Sequence, residues 1–210
     1  MKRTEALRLG ILVSGRGTNL LAILDAIQKE ELKAKAVLVV CNHSTAQAIV
    51  KAQGEGVTTA IYEHHLKDYN SRLAGQQAIA DRFESEGVDL IVCAGWDRVL
   101  TPQFVRRFEG RIINIHPSLL PAFAGGLHAV RQALSYGVKI AGCTVHFVTE
   151  EVDAGPIISQ AAVPVLENDT VETLAERLHK EEHRLLIEAI KLYSEGRLQV
   201  EGRVVRVLNS

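Results

Sequence analysis

Short apolar runs alternate with longer amphipathic segments along the first half of the chain. The apolar runs have the length of buried strands, and the amphipathic segments repeat their apolar positions with the spacing of a helix. The predicted strands are Leu9–Val13, Ala36–Cys41, Val57–Ile61, Asp89–Ala94 and Arg111–Ile115. The predicted helices cover residues 19–29, about 45–53 and 71–86, and a further helix opens at Pro102. This alternation predicts parallel strands connected by helices that pack on both faces of one sheet.

The pattern changes after a helix predicted at His128–Tyr136. Two strand-like runs, Ile140–Val148 and Pro156–Val165, then follow each other directly. Strands joined by a short loop without a helix predict an antiparallel pair. A long helix from Thr170 to about Glu195 comes next, with Asp169 or Thr170 near its cap, and Gly196–Val207 is interpreted as a terminal hairpin or extended tail.

Composition supports one compact unit. The chain has 210 residues, of which 47% are hydrophobic and 23% charged, and this is enough to bury a sizeable core. It contains no internal repeat and no linker rich in proline, glycine or serine. We therefore predict a single doubly wound α/β domain over residues 1–210, with a mostly parallel central sheet and an antiparallel C-terminal strand pair.

Charge and cysteine content narrow the function classes. A formal net charge of −1 gives no general attraction to nucleic acid or to acidic membranes, so neither is expected as a partner. Cys41, Cys93 and Cys143 lie in or beside apolar segments without C-x-x-C spacing, which argues against a disulfide framework or a cysteine zinc site. No signal-peptide apolar region precedes the first strand, and we expect a cytoplasmic protein.

The end of the fifth predicted strand carries the strongest chemical signal. Asn114 and His116 are two residues apart, so both side chains lie on the same face of the strand. Pro117 then ends the strand, which places both at the sheet edge where open α/β sheets bind ligands. An amide donor beside an imidazole suits a reaction in which charge develops on a carbonyl oxygen while a proton moves. The plainer interpretation is a capping asparagine and a hydrogen-bonded core histidine.

The turn after the first strand, Ser14-Gly15-Arg16-Gly17-Thr18-Asn19, is typical of a phosphate site, because small residues there expose backbone N–H groups at a helix N-terminus. It is neither a Walker loop nor a full G-x-G-x-x-G, since Leu20 stands where the last glycine belongs. The second strand ends in Cys41-Asn42 without an acidic residue for a dinucleotide ribose. A phosphate monoester is thus favoured over NAD, and a simple tight βα corner is the alternative.

The last predicted helix contains residues that are also compatible with a metal site. His179 and His183 flank Glu182 in an H-x-x-E-H match and share one helix face, which could nominally hold zinc. A zinc site needs a third protein ligand, and no suitable one follows; His64 and His65 point apart and add little. The favoured interpretation is a charged helix face from which Glu182 or a histidine contacts a ligand.

Asp153 precedes Ala154-Gly155-Pro156 in the loop between the two antiparallel strands. A loop aspartate commonly faces solvent and does nothing. It could instead orient His116 and keep that imidazole charged, because a nearby anion favours the imidazolium form. The sequence by itself does not show that the two residues meet.

These motifs together resemble the phosphoribosylglycinamide formyltransferases, the folate-dependent enzymes of purine synthesis. The residues that carry the resemblance are the first-turn block, Asn114-Ile115-His116-Pro117-Ser118-Leu119-Leu120-Pro121, Val145-His146-Phe147-Val148 and Asp153-Ala154-Gly155-Pro156-Ile157-Ile158. The second of these blocks is shared by the wider formyltransferase superfamily, so it indicates the chemistry better than the substrate. We expect neither the extra domain of the tRNA members nor that of the deformylase members.

The resemblance implies formyl transfer from 10-formyltetrahydrofolate to the amine of 5′-phosphoribosylglycinamide, without a metal. It implies Asn114, His116 and Asp153 as the catalytic residues. It implies Gly17, Thr18, Asn19 and Glu182 as substrate-binding residues. It implies the cosubstrate-binding residues Arg72, Trp96, Asp97, Arg98, Val99, Leu100, Thr149, Glu150, Glu151 and Val152. The phosphate-binding half is expected over about 1–100 and the folate and catalytic half over about 101–210.

Two departures from the family pattern bear on the cosubstrate pocket. Phe123-Ala124-Gly125-Gly126 is one residue longer than usual after Pro121, and Trp96-Asp97 replaces a more apolar pair. If Asp97 points inward, folate affinity should suffer, whereas if it points to solvent, the main-chain contacts to the folate should survive. The alternative functions are a formyltetrahydrofolate hydrolase, a formyltransferase for another amine, or a noncatalytic phosphate-binding module. The partners are expected to be small molecules, and a homodimer is left open.

Overall fold

The computed structural model describes residues 5–63 and 68–209, and His64 and His65 lie outside these ranges. The described residues form one nine-stranded sheet flanked by six helices. The strands are β1 (Leu7–Val13), β2 (Ala34–Cys41), β3 (Thr59–Ile61), β4 (Leu90–Cys93), β5 (Ile112–His116), β6 (Ile140–Phe147), β7 (Ile157–Pro164), β8 (Leu198–Glu201) and β9 (Val204–Val207). The helices are α1 (Thr18–Gln28), α2 (Gln47–Gly54), α3 (Tyr69–Ser85), α4 (Pro102–Arg107), α5 (Ala129–Tyr136) and α6 (Val171–Ser194).

The strand order confirms the predicted fold class. The sheet runs β3-β2-β1-β4-β5-β6-β7-β9-β8, and strands β1 to β5 are mutually parallel. Strand β6 pairs antiparallel with β7, as predicted, and it is also antiparallel to β5. The tail forms the hairpin β8–β9, which joins the same sheet through a parallel pairing of Ile157 with Val204.

Successive side chains of the parallel strands point to opposite faces of the sheet, and a hydrophobic core lies on each face. In β1, Leu9, Ile11 and Val13 pack in the layer that contains α1, α2 and α6, whereas Leu12 packs in the layer of α3 and α4. All four side chains are fully buried. Burying one such side chain stabilises the fold by roughly 1.5–3 kcal/mol, so the two layers hold the sheet rigid and fix the positions of its strand ends.

Several predicted boundaries shift by one or two residues, and two of these shifts have local reasons. Strand β3 is shorter than predicted because the N–H of Val57 donates to the carbonyl of Ala52 and completes the turn after α2. Helix α3 begins at Tyr69, ahead of the predicted Ser71, because the Asp68 side chain accepts hydrogen bonds from the next free N–H groups. Neither of these two shifts moves the carboxyl end of a strand.

The carboxyl ends of β1, β4 and β5 meet at one edge of the sheet. The chain leaves β1 toward β2 on one side and leaves β4 toward β5 on the other, so the connections diverge between β1 and β4. At this divergence the N–H of Ser14 donates to the carbonyl of Gly95 over 3.0 Å. Open α/β sheets form a crevice at such a point. In the described part of the chain, no helix is both long enough and apolar enough to cross a membrane.

Candidate active site

The last residues of β5 and the loop between β6 and β7 bring three polar side chains together. Asn114 and His116 project into a cavity that Asp153 also lines. The Nδ1 atom of His116 lies 3.5 Å from an Asp153 carboxylate oxygen, and both side chains are largely buried. The structure therefore places the aspartate beside the imidazole, as the resemblance implies.

The hydrogen bonding of His116 identifies the atom that faces the carboxylate. Its Nε2 atom lies 3.1 Å from the carbonyl oxygen of Phe123, and because a carbonyl only accepts, Nε2 must carry a proton. The remaining nitrogen, Nδ1, faces Asp153. The imidazole can therefore gain or lose its exchangeable proton at Nδ1 while Nε2 stays bonded to the main chain.

His146 is a site residue that the sequence reasoning left without a role. It lies opposite Asn114 in the antiparallel register of β5 and β6. Its Nδ1 atom donates to the Phe147 carbonyl at 2.8 Å, so the neutral ring presents Nε2 as an acceptor. The Asn114 amide donates to this Nε2 atom over 3.1 Å. The pairing of His146 with Asn114 follows from the register between β5 and β6, and this register cannot be derived from the sequence.

Burial keeps His146 neutral. Its side chain is almost completely buried, and this burial lowers its pKa although the Phe147 carbonyl and the Asp153 charge act in the opposite direction. A neutral ring leaves Nε2 free to accept. One N–H of the Asn114 amide is thereby fixed, and its other N–H is available to a ligand.

The unusual loop after Pro121 closes on the same cluster. Phe123 has a left-handed φ of 57° and aims its carbonyl at His116, and Gly125 donates its N–H to Asp153 over 2.8 Å. Ser118 donates from its hydroxyl to the Ala122 carbonyl and braces the loop. The extra residue relative to the family pattern therefore belongs to a loop that holds two of the predicted catalytic side chains.

A cavity of about 330 Å³, here called the phosphate-turn cavity, opens beside this cluster. It is lined by the turn of residues 15–19, the end of β5, the start of α5 and one face of α6. Its basic lining residues are Arg16, His128, Arg131 and His179, and Glu182 is the acidic residue among the described lining. The predicted residues Gly17, Thr18, Asn19 and Glu182 thus line one cavity with a cationic mouth, which suits a phosphate group.

Asn19 and Glu182 form the buried floor of the phosphate-turn cavity. The Asn19 amide donates to a Glu182 carboxylate oxygen over 3.0 Å, and both residues are buried. Burial raises the pKa of Glu182, although the Asn19 hydrogen bond and the nearby His116 oppose the shift. The side-chain oxygen of Asn19, Oδ1, has no hydrogen-bond partner among the residues that the structure describes. Buried polar groups usually find partners, so this floor is suited to a ligand with hydroxyl or amine donors.

His179 and His183 stack on one face of α6 with ring centroids 6.2 Å apart. Burial lowers the pKa of both, and Arg16 lowers that of His179 further. Within residues 5–63 and 68–209, no group of three histidine, cysteine, aspartate or glutamate side chains lies in an arrangement that could hold a metal ion. His179 instead faces the phosphate-turn cavity.

A second cavity, here called the wide cavity, has a volume of about 630 Å³ and lies on the other side of β5. It is lined by Trp96, Asp97, Arg98, Val99, Leu100, Thr149, Glu150 and Val152 together with the catalytic candidates. Arg72 and Glu151, predicted to belong with this group, are not among its lining residues. The Arg72 guanidinium instead lies over the Tyr69 ring, 5.3 Å from its centroid.

The two cavities share a wall at the end of β5. Gly95, Ile115, Pro117 and Leu127 line both of them. Each cavity also draws residues from the first and second halves of the chain. Two ligands bound side by side would therefore meet beside Asn114 and His116.

Comparison of the sequence and the fold with known proteins identifies the family to which this chain belongs. Residues 7–190 match the family model described as Formyl transferase. The chain belongs to the formyl transferase family. It is 40% identical over 197 residues to the phosphoribosylglycinamide formyltransferase of Haemophilus influenzae, which covers 94% of this chain and 92% of that protein.

A solved structure and a longer relative extend the comparison of this formyl transferase. The crystal structure of glycinamide ribonucleotide transformylase 1 from Symbiobacterium toebii superposes with a TM-score of 0.93 at 49% identity, covering 99% of this chain and 96% of that one. The trifunctional purine biosynthetic protein adenosine-3 of Gallus gallus is 45% identical over 198 residues, or 94% of this chain. The chain spans only 19% of the length of that relative.

Proposed function

We propose that this formyl transferase moves a formyl group from 10-formyltetrahydrofolate to the amine of 5′-phosphoribosylglycinamide, a step of purine biosynthesis. The observation that carries the proposal is that two cavities of different character share a wall at Ile115 and Pro117, directly beside Asn114 and His116, which line the wide cavity. One has a cationic mouth and a polar floor, and the other is wider and is lined by apolar side chains such as Trp96, Val99 and Leu100 as well as by the catalytic candidates. The relatives named phosphoribosylglycinamide formyltransferase support this choice of substrates.

The phosphate-turn cavity would bind the amine substrate. The N–H groups of the 15–19 turn and the side chains of Arg16 and His179 suit its phosphate, and Glu182 suits a ribose hydroxyl. This orientation directs the glycinamide amine toward the shared wall. The wide cavity would take the folate and direct its formyl group to the same point.

The reaction then needs a nucleophile, an oxyanion site and a route for one proton. The amine nitrogen attacks the formyl carbon, the new C–N bond forms, and the carbonyl electron pair moves to oxygen. The free N–H of Asn114 and the imidazolium of His116 stabilise this oxyanion. When the carbonyl reforms, the bond to N10 of the folate breaks, N10 gains a proton and the amine loses one. Asp153 supports the imidazolium and relays the amine proton through water.

The direct test is tetrahydrofolate formation by the purified protein with and without phosphoribosylglycinamide. We expect product only when the amine is present, and one formylated amine for each folate released. Product without the amine would instead indicate a formyltetrahydrofolate hydrolase, and product with a different amine would indicate another formyltransferase. Saturable binding of the phosphate substrate without any product would indicate a noncatalytic module. Because both substrates are small metabolites, we place the reaction in the cytoplasm.

His116→Ala serves as the control for this assay. Loss of one group that stabilises the oxyanion commonly lowers the rate about 10²–10³-fold. Retained far-ultraviolet circular dichroism would show that the lost rate reflects chemistry rather than unfolding.

A further inference from the structure

The segment 96–100, here called the folate wall, supplies a continuous stretch of the wide cavity. Its far end is fixed by Gln76, a buried residue of α3. The Gln76 amide donates to the Val99 carbonyl over 3.0 Å and accepts from the Thr101 N–H over 2.7 Å. One side chain therefore holds two main-chain groups at the point where the wall turns into α4.

The near end of the folate wall is fixed by Asp97. One carboxylate oxygen accepts a hydrogen bond from the Asn42 amide at 2.6 Å and forms an ion pair with Arg98 at 3.0 Å, and the other lies 3.1 Å from Nε2 of His43. The N–H of Asp97 donates to the Ser14 hydroxyl over 2.9 Å. Asp97 thus connects the loops that follow β1, β2 and β4.

The charges around Asp97 show that its carboxylate is already engaged. Arg98 is mostly buried, and its guanidinium lies 3.4 Å from His43 as well as on the carboxylate. Burial acts to raise the pKa of Asp97, but hydrogen bonds from Asn42, His43 and Ser14 outweigh it and hold that pKa below its ordinary value. An ionised carboxylate with these partners faces protein groups, so it does not repel an anionic ligand from the cavity as a free carboxylate would.

We propose that Asp97 is a positioning residue for the cosubstrate: it ties the folate wall to the phosphate turn and to the loop after β2, and in this way sets the affinity for the folate. The inference rests on the proposed function, because it assigns the wide cavity to the folate. It also gives a use to the acidic residue that departs from the family's apolar pair. These contacts fix the position of residues 96–100 before the ligand binds, and this lowers the entropic cost of ordering the segment on binding.

Trp96 gives a direct readout, since it is the single tryptophan of the sequence and lines the wide cavity. Quenching of its fluorescence by tetrahydrofolate measures affinity, and initial rates give kcat and KM for each substrate. For Asp97→Ala we expect about tenfold weaker tetrahydrofolate binding and a similar rise in KM for the formylfolate, the size expected when hydrogen bonds to a charged group are lost. We expect kcat at saturating substrate to change less than twofold, because Asp97 does not contact the reacting atoms.

Variants of two residues that contact Asp97, here called the partner variants, and one control variant complete the test. Asn42→Ala and His43→Ala each remove a single donor to Asp97 and should weaken folate binding in the same direction by a smaller factor. Asp25→Asn alters an exposed carboxylate of α1 that pairs with Lys29, and it should match the wild type. If Asp97→Ala does not fold, judged by circular dichroism, the two partner variants decide the question.

The outcomes separate this inference from the proposed function. If the wild type neither binds tetrahydrofolate nor turns over formylfolate, the proposed function fails. If the wild type binds but Asp97→Ala, or both partner variants, bind equally well, the positioning role is overturned. A fall in kcat as large as the loss of affinity would also overturn it, because such a fall indicates a role in the reaction itself or a general loss of structure.

Discussion

At the scale of single residues, the orientation of the Asn114 amide depends on its hydrogen bond to His146. His146→Leu removes the acceptor and frees the amide to rotate, and we expect kcat to fall about tenfold, the size of one lost hydrogen bond. His146→Gln can place an oxygen near the position of Nε2 and should recover most of the rate. The measurement is kcat at saturation in both substrates.

A double variant distinguishes orientation from general damage. If His146 acts through Asn114, then adding His146→Leu to Asn114→Ala should cost little further activity, because interacting residues give non-additive effects. Equal losses in the two backgrounds would mean that His146 contributes independently. Such a result would remove its role as a support for the amide.

At the scale of secondary-structure elements, the start of α6 depends on a cluster around Asp169. Its carboxylate accepts from the Leu166 N–H, the Thr173 hydroxyl and the Arg177 guanidinium. The hydrogen bond from Arg177 lowers the pKa of Asp169 most, and those from Leu166 and Thr173 lower it further, although burial opposes them. The sequence indicated that Asp169 or Thr170 lies near the cap; Thr170 is the N-cap residue, and Asp169 holds the next turn in place.

This cluster makes stability depend on pH in one direction. A carboxyl with a lowered folded pKa adds stability above its unfolded pKa, near 4, and that stability is lost as pH falls through the lower folded value. Asp169→Asn should therefore lower Tm clearly at pH 7, and the gap to the wild type should narrow progressively below about pH 4. Glu167→Gln, in the same turn, is the control. A gap that stays constant with pH would show that the ionised carboxylate is not the source of the stability.

The secondary-structure elements were predictable from the sequence, whereas the pairing of distant strands was not. Periodicity predicted the parallel strands, the helices between them and the end of β5 because these are local properties of the chain. It did not place β6 between β5 and β7, since a register between distant strands depends on packing across the whole sheet. The contacts of Asp153 with His116 and of Asn114 with His146 follow from that register. The proximity of Asn114 and His116 was predictable because both lie on one strand.

At the scale of the whole molecule, the phosphate-turn cavity joins the beginning of the chain to its end. Its walls come from the turn before α1 and from α6, and Asn19 meets Glu182 across the gap. A ligand there bridges parts that separate completely on unfolding, so its binding energy stabilises the entire domain. Replacing Gly17 with a larger residue such as valine is a poor probe of this cavity, because Gly17 has a φ of 71° and any Cβ would meet Ala48 of α2 at 2.8 Å. Its damage would mix strain with lost binding.

Glu182→Ala is the cleaner probe when the ligand-induced shift in Tm is measured rather than Tm itself. Phosphoribosylglycinamide at about 100 times its Kd should stabilise the wild type by roughly 2.7 kcal/mol, or roughly 5–10 °C for a domain of this size. Glu182→Ala should lose much of that shift and keep the shift given by tetrahydrofolate, because Glu182 lines only the phosphate-turn cavity. Glu181→Ala, its neighbour paired with Arg184, should respond to both ligands like the wild type. If Glu182→Ala lost both shifts equally, the carboxylate would act on the fold as a whole, and the assignment of the two ligands to two separate cavities would have to be abandoned.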